Sequence, residues 1–251
     1  MKKTVEILWT GGYDSSFRMC QLSRKDVIIQ PYYLSDNRAS EENELKAINV
    51  ISDKLRSHKD TVAEIKELIY VPVGDRKQIP EITQAFKNLL SQDRMGSQYE
   101  WLGIFALEHK GIEMSIHKDD KAVNLIQKHG KFKLDSDETG EWYVIDTDAS
   151  SEDCSVLFGN LRFPLVNYTK LEMKSEYEAM GLEDVINDTW FCFTPIDGKP
   201  CGCCNPCKYT IEEGMAYRFS DSALKRYKWR KTAVYRYLTG LKRRLKRLKK
   251  K

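Results

Sequence analysis

The chain has 251 residues, of which 41% are apolar and 31% are charged, a composition that can bury one full core with a small satellite. It contains no run of about 18 apolar residues, so the sequence excludes a helix that spans a membrane. The apolar segment behind Met1-Lys2-Lys3 is short and interrupted by Glu6, and we expect a strand there and not a secretory signal peptide.

Charge is distributed unevenly along the chain. The net charge is +4, but residues 222–251 carry 14 lysines and arginines and no acidic residue. Residues 1–221 therefore hold 27 basic and 37 acidic side chains, a balance of −10. We expect an acidic body and a basic tail with separate roles. Cys20 and Cys154, outside any evident cysteine motif, fit a reducing compartment and predict a cytoplasmic protein.

Segments with strand and helix character alternate along the chain. The apolar runs predict strands at 5–9, 27–34, 68–73, 112–116 and 156–158. Helical spacing of apolar residues predicts helices at 15–22, 41–55, 79–90, 99–109 and 169–180, the last capped by Gly181. This alternation indicates an α/β fold with a parallel sheet covered on both faces. Residues 130–154 break the rhythm and predict a hairpin-like insertion.

A glycine loop follows the first predicted strand, with the sequence Thr10-Gly11-Gly12-Tyr13-Asp14-Ser15-Ser16. Ligands of open parallel sheets bind at the carboxyl ends of the strands. Two glycines let the backbone approach an anion, and the helix start behind them supplies unpaired N–H groups. The hydroxyl groups add donors, and Asp14 could hold a magnesium ion. Taken alone, the loop is equally well explained as an ordinary helix start.

Four cysteines near the C-terminus have the spacing Cys-x8-Cys-x2-Cys-x2-Cys, at Cys192, Cys201, Cys204 and Cys207. Such spacing returns four thiolates to one centre and predicts a structural zinc site, with disulfides as the weaker alternative. A closed shell of four cysteines leaves no position for a reacting water, so this site indicates stability and not catalysis. Cys203 is interpreted as a spare thiol.

Together these motifs resemble the 7-cyano-7-deazaguanine synthase-like family of the ATP pyrophosphatase (PP-loop) superfamily. The loop at Thr10 resembles that superfamily's Ser-Gly-Gly-x-Asp-Ser loop. The segments Glu44-Leu45-Lys46-Ala47 and Phe163-Pro164-Leu165 … Thr169-Lys170-Leu171-Glu172 are similar to family segments, as is the spacing of the four cysteines. The resemblance covers residues 4 to about 212.

The resemblance implies an adenine nucleotide alpha-hydrolase-like fold and an ATP-dependent carbon–nitrogen ligase. It implies a PP-loop domain at 1–185, with the insertion at 130–154, and a zinc subdomain at 186–215. The basic amphipathic helical tail predicted at 216–251 rests on the charge and apolar pattern of the sequence and is not required by the resembled family. The implied cofactors are ATP, Mg²⁺ and structural Zn²⁺. The implied catalytic residues are Asp14, Ser15 and Lys170, and the implied ATP-binding residues are Thr10, Gly11, Gly12, Asp14, Ser15 and Ser16.

The sequence departs from this family where its substrate segments are expected. Ser35-Asp36-Asn37-Arg38 and Arg94-Met95-Gly96-Ser97-Gln98 replace two of them, and His117-Lys118-Asp119-Asp120 with the insertion replaces the third. Because buried polar pairs of this kind set specificity, we expect retained ATP chemistry on a small-molecule carboxylate that is either a different substrate or the same base handled differently.

Several alternatives stay open. In the first, the activated carboxylate goes to ammonia or to a protein amine. A second enzymatic alternative is tRNA modification by adenylation, and the third is a non-catalytic scaffold that binds a nucleotide or nucleic acid. In the tail, Val234, Leu238, Leu241, Leu245 and Leu248 lie on one helical stripe among cations. The tail is expected to contact an acidic protein, including a dimer mate in a homodimer, or nucleic acid; an anionic membrane surface is the weaker alternative.

Overall fold

A computed structural model describes residues 2–74 and 78–232. The apolar stripe predicted between Val234 and Leu248 lies outside these residues. The described chain divides into two compact units, one built from residues up to 37 and from 44 to 190, the other from 38–43 and from 191 onward. In the described ranges, no helix is both long enough and apolar enough to cross a lipid bilayer.

The first unit is an α/β structure. Its strands, with those of a separate hairpin, are β1 (Lys3–Leu8), β2 (Val27–Ser35), β3 (Glu64–Ile65), β4 (Ile69–Pro72), β5 (Ile112–Glu113), β6 (Phe132–Asp137), β7 (Gly140–Ile145) and β8 (Leu161–Arg162). Its helices are α1 (Tyr13–Ser23), α2 (Glu41–Ser57, which starts in the other unit), α3 (Pro80–Gln92), α4 (Gln98–Glu108), α5 (Lys121–His129), α6 (Glu152–Phe158), α7 (Lys170–Ala179) and α8 (Glu183–Asp188).

All pairings in the main sheet are parallel, in the order β3-β2-β1-β5-β8, with β4 also pairing with β2. From β1 the chain moves to β2 on one side, whereas β5 and β8 lie on the other. The order therefore reverses between β1 and β5, where Ile7 is paired with Glu113. In open α/β sheets this reversal leaves a crevice at the carboxyl ends of the two strands, which is where ligands bind.

Two clusters of buried side chains cover opposite faces of the sheet. Tyr32 and Leu34 of β2 pack in the first cluster, and Ile29 and Tyr33 of the same strand pack in the second. Residues an odd number apart in a strand point to opposite faces, so both faces of β2 are buried. This is the coverage expected for a parallel sheet and agrees with the predicted α/β class.

Most predicted elements are present, with one clear error. The predicted strand at 156–158 is wrong, because these residues end helix α6. The Ser151 hydroxyl accepts a hydrogen bond from the Cys154 N–H and starts that helix. The main-sheet strand that follows β5 is instead β8, which begins three residues after Phe158. The predicted insertion contains a hairpin, with β6 and β7 antiparallel from Phe132 to Ile145. In the first unit, helices α5 and α8 and strand β3 were not predicted.

The second unit contains the cysteine cluster and two helices. They are α9 (Asn205–Glu212) and α10 (Asp221–Arg230). The Ser220 hydroxyl accepts a hydrogen bond from the Ala223 N–H and caps α10. Helix α10 therefore lies within the predicted tail at 216–251 and carries the first cations of the basic segment.

Candidate functional site

The loop that follows β1 is held by backbone contacts. Gly11 has a φ of +67°, in the left-handed region that favours glycine. A Cβ atom at this position would lie 2.8 Å from the carbonyl oxygen of Glu44 in α2. The Trp190 N–H donates a hydrogen bond of 2.8 Å to the Gly11 carbonyl oxygen. Glycine therefore allows the loop to pass against α2, and a side chain would displace it.

Helix α1 starts directly behind this loop, with Gly12 as its N-cap and Asp14 in its first turn. The first N–H groups of a helix have no partner inside the helix, and they lie at the positive end of its dipole. The Ser15 hydroxyl lies 3.5 Å from both the backbone N and the Oγ1 of Thr10. The structure thus groups Thr10, Gly12, Asp14 and Ser15 around an end of a helix that favours anions.

Ser16 is placed differently from the other predicted ATP-binding residues. Its side chain is fully buried, and its hydroxyl accepts a hydrogen bond of 3.1 Å from Nε1 of Trp9. In this structure Ser16 therefore supports the loop from the core side. A role of its hydroxyl in binding ATP stays a prediction.

Lys170 reaches this loop from a second helix. Its ammonium group forms an ion pair with the carboxylate of Asp14, and its Nζ lies 4.4 Å from the centre of the Tyr13 ring. Both charged side chains are only about one-fifth exposed. The Tyr177 hydroxyl of α7 also donates to the Tyr13 carbonyl oxygen at 3.0 Å. The structure therefore brings Lys170 and Asp14 together across 156 residues of sequence.

The start of α7 explains how Lys170 is positioned. Thr169 is the N-cap and forms a capping box with Glu172, whose carboxylate accepts the Thr169 N–H at 2.7 Å. Hydrogen bonds from the backbone and side chain of Thr169 lower the pKa of Glu172. Lys170 is the first residue of the helix. The N-termini of α1 and α7, each with a positive dipole end, thus meet at the Asp14–Lys170 pair.

A buried ion pair joins α1 to β5, the strand that lies across the crevice from β1. Nε and Nη2 of Arg18 donate hydrogen bonds of 2.7 Å to the two carboxylate oxygens of Glu113. The side chains are 5% and 1% exposed, so this bidentate pair is almost completely removed from water. It places the second turn of α1 beside the end of β5.

Ser115, which was not predicted as a site residue, lies two residues beyond the end of β5. Met114 and Ile116 on either side of it pack in the first cluster, and the Ile116 N–H donates to the Met114 carbonyl oxygen at 3.0 Å. This hydrogen bond closes a tight turn centred on Ser115, just beyond the carboxyl end of β5. Oγ of Ser115 is buried and has no hydrogen-bond partner among the described residues.

His117 lies two residues after Ser115, in a segment where the sequence departs from the resembled family. It is 8% exposed, and its Nδ1 accepts a hydrogen bond of 3.2 Å from the Asp119 N–H. A ring nitrogen that accepts a hydrogen bond carries no proton, so the donor of this imidazole is Nε2–H. The next residue, Lys118, donates its N–H to the Tyr168 carbonyl oxygen at 3.0 Å, which ties this segment to the start of α7.

The four predicted metal ligands form one cluster in the second unit. The sulfur atoms of Cys192, Cys201, Cys204 and Cys207 all lie within 4.8 Å of one another. The Cys201–Cys207 and Cys192–Cys204 sulfur distances are 3.8 and 3.9 Å. A tetrahedron with zinc–sulfur bonds of about 2.3 Å has edges of about 3.8 Å, whereas a disulfide bond is only about 2.05 Å long. The cluster could therefore hold a metal ion such as zinc.

Backbone groups around the cysteines also fit a thiolate centre. Sγ of Cys201 accepts N–H groups from Cys203 and Cys204, and Sγ of Cys192 accepts the Cys201 N–H, each at 3.2 Å. The side-chain contacts with Cys192 and Cys207 lower the pKa of the Cys204 thiol, and the Cys192–Cys204 contact raises the pKa of Cys192 to about 12. Four thiols this close cannot all ionise unless a cation balances their charge.

Comparison with known proteins adds no assignment to this geometry. No protein-family model matches the chain, and no curated protein matches it.

Proposed function

We propose that the chain is an ATP-dependent ligase of the ATP pyrophosphatase type, in which the loop at residues 10–15 binds the phosphates of ATP. The observation that carries the proposal is the Asp14–Lys170 ion pair at the meeting point of two helix N-termini. This pair stands at the carboxyl end of β1, beside the reversal of strand order. The resemblance of the loop, of the Lys170 segment and of the cysteine spacing to the 7-cyano-7-deazaguanine synthase-like family supports the same reading.

In this proposal the polyphosphate accepts hydrogen bonds from the first N–H groups of α1, with the Thr10 and Ser15 hydroxyls as further donors. Asp14 would hold a magnesium ion, which would supply charge to offset that of the phosphates, and Lys170 would bind phosphate oxygens. The ammonium group then offsets the charge that develops on the leaving pyrophosphate. The ion pair seen here keeps both groups in place before the nucleotide arrives.

The proposed reaction has two steps. A carboxylate oxygen of the acceptor attacks the α-phosphorus of ATP, the bond to the bridging oxygen of the β-phosphate breaks, and pyrophosphate leaves. A nitrogen nucleophile then attacks the carbonyl carbon of the acyl-adenylate, and AMP leaves with the former carboxylate oxygen. With ammonia the nitrogen loses a proton and an amide results; a nitrile requires the further removal of water.

Ser115 and His117 are the groups we assign to the acceptor side. The Ser115 hydroxyl has no partner among the described residues and lies just beyond the carboxyl end of β5, and the Nε2–H of His117, two residues on, is a second donor. Two hydrogen-bond donors suit a carboxylate oxygen or a polar ring edge. His117 stands in a segment that replaces a substrate segment of the family, so we propose a carboxylate acceptor that is bound differently from the family's base.

The test is a product assay with magnesium-ATP and 7-carboxy-7-deazaguanine, with and without ammonia. We expect AMP and pyrophosphate in equal amounts. Asp14→Asn and Lys170→Met should each reduce their release by roughly a hundredfold or more, as removal of a charge-stabilising group does. The matched control is Lys174→Met, one turn further along α7 and 61% exposed, which should leave the rate unchanged.

The outcomes separate the alternatives. If tRNA or a protein replaces the base as the required acceptor, the substrate is revised and the adenylation chemistry stands. Release of ADP and phosphate, or AMP release that both loop variants leave intact, would overturn the proposal. ATP binding without turnover for any acceptor would favour the non-catalytic scaffold.

A further inference from the structure

We infer that the outward face of α10 binds single-stranded nucleic acid. The inference concerns the second unit alone and does not rest on the proposed ligase activity. Lys225, Lys228 and Trp229 define this face, and we name it the α10 face. They are spaced at i, i+3 and i+4, so they lie on one side of the helix.

The residues on the opposite side of α10 hold the helix against the rest of the second unit. Ala223 and Tyr227 are buried, and the Tyr227 hydroxyl donates to Glu212 of α9 at 3.0 Å. Nε of Arg226 donates to the Cys201 carbonyl oxygen at 2.8 Å, and Nη1 of Arg230 donates to the Cys204 carbonyl oxygen at 3.0 Å. Two arginines are thus anchored to the cysteine cluster, which fixes the direction in which the α10 face points.

The α10 face combines cations with an accessible aromatic ring. Lys225 and Lys228 are exposed, and Trp229 keeps 49% of its surface exposed. Tyr209 and Tyr217 of the same unit are also exposed large aromatic residues, and the Lys208 ammonium lies 5.3 Å from the Tyr209 ring centre. Cations that track a phosphate backbone, interleaved with rings that stack on unpaired bases, are the chemistry of single-strand binding.

Other partners of a basic helix fit these observations less well. A helix that lies on a membrane needs a continuous apolar face turned outward, but the outward side of α10 carries Lys225 and Lys228 beside the single ring of Trp229. An acidic protein would also attract the lysines, but a single strand repeats a phosphate and a base at every nucleotide, which matches cations interleaved with rings. The sequence beyond the described residues continues the same composition, with no acidic residue from 222 to 251.

The test uses the full chain and fluorescence anisotropy with a labelled single-stranded oligonucleotide of mixed sequence, as RNA and as DNA, over a series of salt concentrations. The double variant Lys225→Gln/Lys228→Gln should weaken binding and reduce the slope of log K against log salt by about 1.4, since each lost phosphate contact contributes about 0.7. Trp229→Ala should weaken binding roughly five- to 150-fold, the range expected for one lost base stack.

A charge-matched control is the double variant Lys87→Gln/Lys110→Gln, whose exposed lysines lie in the first unit. It should keep the wild-type salt slope. An equal loss in both double variants, or no effect of Trp229→Ala, would overturn the inference, because binding would then reflect net charge alone. Tighter binding of polyglutamate or of anionic lipid vesicles than of the oligonucleotide would overturn it in favour of a protein or membrane surface.

Discussion

The Ser115 hydroxyl gives a prediction in which stability and function change in opposite directions. A buried hydroxyl without a hydrogen-bond partner costs about 1–3 kcal/mol relative to its hydrated state. Ser115→Ala removes that hydroxyl and leaves the backbone and the neighbouring side chains in place. We therefore expect the free energy of unfolding to rise by about 1 kcal/mol, which for a chain of this length raises Tm by roughly 2–4 °C.

The matched control is Ser23→Ala, the same substitution at a fully buried serine whose hydroxyl is bonded. Oγ of Ser23 donates a hydrogen bond of 2.7 Å to the Cys20 carbonyl oxygen. Its loss should lower stability by about 0.5–1.5 kcal/mol. Urea unfolding followed by circular dichroism measures both variants under one condition.

The functional half of this prediction uses the same proteins. If Ser115 binds the acceptor, Ser115→Ala should raise the KM for the carboxylate acceptor while the KM for ATP is unchanged. A destabilisation of Ser115→Ala equal to that of Ser23→Ala would refute the reasoning, because it would mean that the Ser115 hydroxyl has a partner in the folded protein.

Three further predictions concern the frame of the site and the cysteines. Glu113→Gln should destabilise the protein by about 3–5 kcal/mol, because it leaves the buried Arg18 guanidinium without its counter-charge. Glu64→Gln, which removes a charge from an exposed ion pair, should cost less than about 1 kcal/mol. Equal losses of stability in urea unfolding would contradict the difference expected between the buried and the exposed pair. Gly11→Ala should cost more than Gly181→Ala, since both have φ near +66° but only Gly11 has a carbonyl oxygen 2.8 Å from the added Cβ; equal Tm shifts would refute the contact. Iodoacetamide at pH 7.5 should label only Cys203 in the metal-loaded protein and five of the seven cysteines after chelation, as counted by mass spectrometry. Cys20 and Cys154 should stay unlabelled because they are buried, and burial raises the pKa of both thiols, with the pKa of Cys154 raised to about 11. Labelling of Cys192, Cys201, Cys204 and Cys207 that a chelator leaves unchanged would argue against a metal at the cluster.

Much of the fold could be predicted because its signals are local. The apolar stripe of α2, at Ile48, Ile51 and Leu55, is visible as helical spacing, and all three side chains are buried. The cysteine cluster was predictable because three of its ligands lie within seven residues. The run Val156-Leu157-Phe158 misled because a short apolar run fits a buried strand and a buried helix equally well. Ser151, followed by two acidic residues, was the available signal of a helix start.

The crevice itself could not be predicted from spacing. The contact of Arg18 with Glu113 depends on which strand lies next to β1, and the sequence of residues 24–111 does not specify that neighbour. Lys170 was singled out only by resemblance, since its partner Asp14 is 156 residues away. A hydroxyl without a hydrogen-bond partner has no sequence signal, because its lack of a partner depends on which residues the folded chain places around it.

In the proposed reaction a carboxylate oxygen of the acceptor attacks the α-phosphorus of ATP. This step can be tested by the mass of the AMP produced from an acceptor whose carboxylate carries ¹⁸O in both oxygens. Adenylation followed by attack of the nitrogen nucleophile on the carbonyl carbon transfers one of these oxygens to AMP, so we expect AMP heavier by one ¹⁸O. AMP without the label, or ADP as the nucleotide product, would contradict it.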